Sequence, residues 1–353
     1  MAFSLNYQKI DDILAKLSSD YDIYAPVRLV GEGKFSATDR IQYDKITRAE
    51  QIVYNEKSDF SPREIISPIT QTLFYFTENE FIENLPESRS IIIFARPCDI
   101  NAFKRLDKIF LENGDFADSY YKSRRDKVHF ALLDCKGGWE SCFCVSMGTN
   151  KTSDYSLAVN FNSKTVEIEV NDSSFNKYFN DIKQCSYQYN FVKKNKIEVE
   201  LPEIRPEQIE KISDLQIWQE YGQRCKSCGS CTAVCPSCSC FTTRDISYKE
   251  NKKAGERRRV WASCLHPDFT EMAGGHSYRE TAAARIRFRT LHKIYDYKKR
   301  FDTVNMCVGC GRCTDTCTQL ISFATLLNRL SQEIKKLSVL EEGVEYVSKS
   351  SSS

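Results

Sequence analysis

Cys225-Lys226-Ser227-Cys228-Gly229-Ser230-Cys231-Thr232-Ala233-Val234-Cys235-Pro236 and Cys307-Val308-Gly309-Cys310-Gly311-Arg312-Cys313-Thr314-Asp315-Thr316-Cys317 are two copies of one pattern, C-x2-C-x2-C-x3-C. Thiols at i, i+3 and i+6 let a tight loop wrap one [4Fe–4S] cube, while the fourth opens the next helix and points away to a second cube. The expected ligand sets are therefore crossed: Cys225, Cys228, Cys231 and Cys317 for one cluster, and Cys307, Cys310, Cys313 and Cys235 for the other. Zinc sites use two cysteine pairs separated by a longer loop, and eight thiols in this rhythm would leave ligands over. Disulfides at such short spacing would close strained loops. Electron transfer through iron–sulfur clusters is the function this spacing predicts.

The rest of the composition bounds that reading. At 353 residues the chain is long enough for two domains. Its 41% hydrophobic and 28% charged residues are those of an ordinary globular protein. Sixteen cysteines are too many for idle core packing and read as metal ligands in a reducing compartment. The charged N-terminus, Met1 to Asp20, has no secretory h-region, and no apolar run reaches a membrane span, so a cytoplasmic protein without membrane contact is expected. A net charge of +2 argues against nucleic-acid binding.

Taken in order, Ile10, Ile13, Leu14 and Leu17 predict an amphipathic helix within Ser4 to Leu17, and Tyr21 to Val30 a strand. Gly31-Glu32-Gly33 reads as a turn, since no third glycine or following helix supports a phosphate loop. Ser61 as cap, Pro62 at the first helical position and Glu64 at the third predict a helix start. Ser90 to Ala95 is apolar on both faces and reads as a central strand, followed by a helix from Ile100 to Ile109. Val128 to Leu133 is a second buried strand, and Tyr155 to Phe161 with Thr165 to Val170 a hairpin. Val192 to Leu201 reads as one more strand, and Pro206 opens a helix to Tyr221.

The two buried strands end alike, in Arg96-Pro97-Cys98-Asp99 and Asp134-Cys135, with Cys142-x-Cys144 shortly after. Open α/β sheets gather ligands at the carboxyl ends of their strands. If these strands are parallel neighbours, Cys98, Cys135, Cys142 and Cys144 converge on one sheet edge, as a third [4Fe–4S] site or as buried structural thiols. Cys238, Cys240 and Cys264 read as partial ligands of a further centre, as groups beside the clusters or as packing; no fourth ligand is evident, which favours the latter two, and Cys185 reads as packing.

About seventy residues separate the two cysteine runs, too many for a small ferredoxin. The insert reads as helical, notably Arg279 to Lys298, and as basic through Arg257, Arg258, Arg259, Arg285, Arg287 and Arg289. Those cations would raise cluster potentials, dock an acidic partner or form a solvated face. His266 and His276 are candidate hydrogen-bond donors to a cluster, with ordinary packing the commoner role. The chain carries no G-x-G-x-x-G and no Walker A, so flavin and nicotinamide are assigned to a partner. The expected fold is an α/β (α+β) N-terminal domain over 1–200, then an all-helical dicluster ferredoxin domain over 201–345 that includes a helix from Ser322 to Leu340. A Ser-rich disordered tail is expected over 346–353.

The blocks Lys57 to Pro62, Arg96-Pro97-Cys98-Asp99, Cys142-Phe143-Cys144, Cys225 to Cys240, His292-Lys293 and Cys307 to Cys313 resemble the iron–sulfur electron-transfer subunit of anaerobic sulfite reductases. They resemble the β subunits of cytoplasmic sulfhydrogenases more distantly. Thr318 departs from the proline that bacterial ferredoxins place after the last cysteine, which affects a helix start and no ligand. The resemblance implies an electron carrier rather than a catalytic chain. It would relay electrons from a flavin and NAD(P)H subunit to a sirohaem subunit that reduces sulfite to sulfide. The alternatives are the same relay in a sulfhydrogenase-type hydrogenase, and a cluster-based sensor or scaffold.

Overall fold

The apolar run Ser90–Ala95 becomes the middle of the larger sheet, and the chain can be placed outward from it. The computed structural model describes residues 1–35, 37–85, 89–180 and 182–350, with side chains described as far as residue 339. Among the described residues, twelve strands form two sheets. They are β1 (Ala2–Leu5), β2 (Tyr21–Leu29), β3 (Arg40–Lys45), β4 (Thr70–Phe76), β5 (Phe81–Glu83) and β6 (Ser90–Ala95). Then follow β7 (Val128–Leu133), β8 (Leu157–Phe161), β9 (Val166–Val170), β10 (Gln184–Cys185), β11 (Phe241–Ser247) and β12 (Gly255–Trp261).

The eight-stranded sheet has the order β10-β1-β9-β8-β7-β6-β2-β3, with β2, β6, β7 and β8 mutually parallel and the flanking pairs antiparallel. Helices cover both faces. On one lies α1 (Tyr7–Asp20), whose Ile10, Ile13, Leu14 and Leu17 pack with Ile92, Phe94, Ala131 and Leu133. Its cap is Asn6, which accepts from Lys9 N at 2.9 Å. After the single turn α2 (Arg63–Ile66), the other face receives α3 (Pro97–Leu111) and α4 (Ser119–Arg125). There Ile91, Ile93 and Ala95 meet Phe103, Leu106 and Tyr121. Successive residues of β6 thus feed opposite cores, each isoleucine contributing on the order of 1.5–3 kcal/mol by burial.

The expected all-helical C-terminal domain does not hold. The insert between the cysteine runs contains the antiparallel hairpin β11–β12, and β12 pairs with β4, which pairs with β5, giving a four-stranded sheet. Two of its strands come from residues 70–83, so the insert is completed by the N-terminal half of the chain. The Arg257–Arg259 run lies on a strand rather than a helix, and its charges are spent locally. Arg257 pairs with Asp245, Arg258 with Glu256 and Arg259 with Asp118.

The remaining C-terminal elements are α5 (Ile209–Ser213), α6 (Ile217–Arg224), α7 (Ser230–Ala233), α8 (Ala282–Leu291), α9 (Tyr297–Phe301), α10 (Arg312–Asp315) and α11 (Phe323–Ser350). Trp218, Tyr221, Ile286, Leu291, Leu326, Leu327 and Leu330 form their core. The helix expected from Pro206 to Tyr221 is broken around Asp214–Gln216, and that expected from Arg279 to Lys298 begins at Ala282 and carries a π turn, His292–Asp296. The helix after Ser61 starts at Arg63, with Pro62 in the cap position and no bond from Ser61. Val192–Leu201 is irregular rather than a strand. Its backbone is satisfied by side chains instead of a ladder: Asn150 donates to Val192 O at 2.8 Å, and Val199 N donates to Ser146 Oγ at 2.9 Å. Of the expected tail, residues 346–350 continue α11, and residues 351–353 lie outside the described residues. Among the described residues, no helix is long and apolar enough to cross a membrane.

Candidate iron–sulfur centres

Each cysteine run folds into the same loop, offset by 82 positions. Ser227 and Gly309 take positive φ of 53° and 65°, and Gly229 and Gly311 follow at 75° and 74°. These left-handed residues turn backbone N–H groups inward. Ser227 N donates to Cys225 Sγ at 3.4 Å, and Gly309 N donates to Cys307 Sγ at 3.4 Å. Gly229 and Gly311 then start the short helices α7 and α10, which pack on one another.

This packing brings the two runs face to face. One cavity is lined by Cys225, Cys228, Cys231 and Cys317, with Cys313 also on its wall. A second is lined by Cys235, Cys307, Cys310 and Cys313. The last cysteine of each run therefore stands with the opposite run. Arg289, Cys313 and Phe323 line both cavities and separate them, the guanidinium lying 4.6 Å over the Phe323 ring. Burial raises the thiol of Cys307 to about 12 and that of Cys231 to about 11. Among the described residues, no three Cys, His, Asp or Glu side chains stand close enough to hold one metal ion.

The charges around the cavities point the same way. Lys293 is 3% exposed, and the π turn aims its Nζ at Cys235 Sγ, 3.3 Å away, and at Ser237 Oγ, 3.0 Å away. Arg289 is 8% exposed and its Nε has no partner. Neither has an acidic partner among the described residues. Burial opposes the charge of both, yet the surrounding thiols hold both above their ordinary values, led by Cys235 for Lys293 and by Cys231 for Arg289. Cations buried against thiols alone fit a thiolate-bound cluster, which carries net negative charge.

The N-terminal quartet adjoins the second cavity. Ala95 lies opposite Leu132 in the parallel β6–β7 register, so Cys98 and Cys135, each three residues on, leave the sheet at the same level. Cys98, Cys135 and Cys144 pack together around Val192. Cys98 also packs with Val308 and Cys310, and Cys142 Sγ lies 3.5 Å from Cys310 O. Asn195 donates to Cys144 Sγ at 3.6 Å while accepting from Val145 N at 2.8 Å. Arg96 stacks over Trp139 at 4.5 Å and donates to the carbonyl oxygens of Tyr54, Glu56 and Asp134. Burial is the largest influence on Cys135, raising its thiol, and Arg96 opposes it.

Several separated sequence blocks meet here. Arg312, inside the second run, forms a buried ion pair with Asp99 at 2.6 Å and donates to Ser58 O at 2.9 Å. Lys57 reaches Ser141 Oγ at 2.8 Å and Asp315 at 2.7 Å. Gly309 docks on the Cys142-Phe143-Cys144 block, its carbonyl accepting from Phe143 N at 2.8 Å. His266 lies against Gly229 beside the first run, His276 is exposed in its turn, and Cys185 sits on the edge strand β10 opposite Ala2. Asn195 escapes a reading of the sequence, because nothing local marks an asparagine that meets a thiol across the fold.

Comparison with known proteins agrees on the chemistry. A 4Fe-4S dicluster domain family matches residues 224–321. The chain is similar to the β subunit of sulfhydrogenase 2 from Pyrococcus furiosus, 26% identical over 324 residues, covering 88% of this chain and 92% of that subunit. No solved structure matches.

Proposed function

We propose that this chain is the iron–sulfur electron-transfer subunit of a hydrogenase-type complex. It would hold two [4Fe–4S] clusters on Cys225, Cys228, Cys231 and Cys317, and on Cys307, Cys310, Cys313 and Cys235. A third would sit on Cys98, Cys135, Cys142 and Cys144. The observation that carries this is the pair of adjoining thiol-lined cavities with Arg289 on the wall between them. Bound clusters supply one-electron carriers. The chain's own part is to space them, exclude water and set their potentials with Lys293, Arg289 and the inward N–H groups.

The order along the relay follows from exposure and contact. Among the described residues Cys228 is the one exposed thiol, so the first quartet is the exchange point with a partner subunit. The second quartet lies behind it, and the N-terminal quartet lies beyond Cys310. A cytoplasmic setting is part of the proposal, because sixteen unpaired cysteines suit a reducing compartment.

The sulfite reductase partner, favoured by the sequence motifs, stands as the second reading. The similarity to a sulfhydrogenase β subunit favours the hydrogenase-type assembly. Tagged chain purified anaerobically from its own cells separates them: a nickel-containing large subunit supports the first, and a sirohaem protein the second. The three quartets together are expected to contribute about twelve irons per chain and three paramagnetic species on stepwise reduction, with Cys98→Ala removing about four irons and one species. Zinc in place of iron would sink the relay reading.

A further inference from the structure

Cys238, Cys240 and Cys264 belong to none of the three quartets, yet the fold brings them together. Cys240 immediately precedes β11, and Cys264 follows three residues after β12. The hairpin register sets Phe241 opposite Trp261, and Ala262 N donates to Cys240 O at 3.0 Å, so both thiols leave the same end of the hairpin. The side chains of Cys240 and Cys264 are in contact, as are those of Cys235 and Cys238, and Cys240 is near enough to Cys238 to act on it electrostatically. Cys238 and Cys264 are each 5% exposed.

A second observation is independent of the thiols. Arg63 is 4% exposed and stacks on Trp261 at 3.5 Å. Its Nη1 donates to Cys238 O and its Nη2 to Ala233 O at 3.3 Å, while its Nε is buried with no partner. The groups that oppose its desolvation are first Cys238, then Cys235 and Cys240, with Glu64 last. Arg279, which is half-buried, neighbours the same thiols. It stacks on Phe288 at 3.4 Å, leaves its Nη1 without a partner, and has Cys264 and Cys240 as its anionic neighbours. Two guanidinium groups with orphaned N–H groups around three thiols call for a buried anion larger than the thiols alone.

We propose that Cys238, Cys240 and Cys264 are the three protein ligands of a further iron–sulfur centre, seated between Arg63 and Arg279 and joined to the second quartet through the Cys235–Cys238 contact. Three thiolates leave one iron corner to a small exogenous ligand. The centre forms a branch off the second quartet, away from the N-terminal one. The proposal rests on reading the two ferredoxin-type quartets as cluster sites, and its test separates the two.

Native mass spectrometry and EPR of the full-length holoprotein are compared for the wild type and the single variants Cys238→Ala, Cys240→Ala and Cys264→Ala. The expected result is loss of about three to four irons and one paramagnetic species, with both signals of the 225–317 runs retained. Wild-type iron content and spectra in all three variants would overturn the centre and leave the quartets standing. Zinc, or a disulfide between Cys240 and Cys264, in place of that iron would also overturn it. Loss of iron only together with both quartet signals, in all three variants, assigns the thiols to the fold and overturns it too. A wild type without either quartet signal would instead refute the underlying reading.

Discussion

Replacing Lys293 by methionine removes one buried positive charge while keeping the length of the side chain. Its Nζ lies 3.3 Å from Cys235 Sγ and 3.0 Å from Ser237 Oγ, with no acidic partner among the described residues. At an effective dielectric of about 20, Coulomb's law gives about 5 kcal/mol for a full charge on that sulfur. An electron added to a cube is spread over its irons and sulfurs, so about a quarter of that reaches this interaction, or about 1.3 kcal/mol. For a one-electron couple this is about 55 mV, since about 59 mV corresponds to about 1.4 kcal/mol. Lys293→Met should therefore lower the midpoint potential of the second quartet's cluster by about 40–80 mV. Lys293→Arg, which keeps the charge, should move it by less than half as much. The first quartet should move little, because Lys293 lines only the second cavity. The assay is an EPR-monitored anaerobic redox titration with iron content checked in each sample. With iron unchanged, a shift under about 15 mV, an upward shift, or equal shifts in both clusters would refute the electrostatic reasoning.

Arg289 lines both cavities, so Arg289→Met should lower both potentials in the same titration, in contrast to Lys293→Met. Gly309→Ala would force a Cβ to 2.6 Å from the Phe143 carbonyl at a φ of +65°. It should cost more than about 2 kcal/mol in denaturant unfolding and reduce iron loading at the second quartet. Gly31→Ala is the control. Its φ is +72° with nothing within 4 Å, so it should cost about 1 kcal/mol and leave iron unchanged. Asp99→Asn leaves Arg312 buried without its carboxylate and should cost about 3–5 kcal/mol in the same unfolding experiment.

What can be read from the chain divides along the range of the interactions. The paired cysteine runs are local in sequence, and each of the two cavities is lined by cysteines of both runs. The strands Ser90–Ala95 and Val128–Leu133 are marked by their own apolar character, and their parallel pairing brings Cys98 and Cys135 to one edge. The insert misleads because its sheet is non-local. Arg257, Arg258 and Arg259 look like a basic helix face until Asp245, Glu256 and Asp118 are known to lie beside them. The partner strand Thr70–Phe76 is about 180 residues away, a separation at which periodicity carries no information. Val192–Leu201 misleads for the opposite reason. It has strand-like residues, but Ser146, Asn150 and Asn328 satisfy its backbone before a neighbouring strand can.

The buried cations then sort themselves by partner. Arg312, as buried as any of them, has Asp99 within 2.6 Å and needs nothing further to balance it. Arg289 and Lys293 border the ferredoxin-type cavities with only thiols as their anionic neighbours, and Arg63 borders the Cys238 group with Glu64 ranking behind its thiols. Neutral thiols cannot repay the desolvation of a guanidinium or an ammonium, because a buried charge needs a charge opposite to it. Among these four cations, the one paired with a carboxylate has a complete ion pair, and the three whose leading anionic neighbours are thiols border the cysteines. Thiolates loaded with iron would restore the balance and would place their negative charge where each cation favours an added electron. Folding and electron affinity are then two consequences of one arrangement of charge.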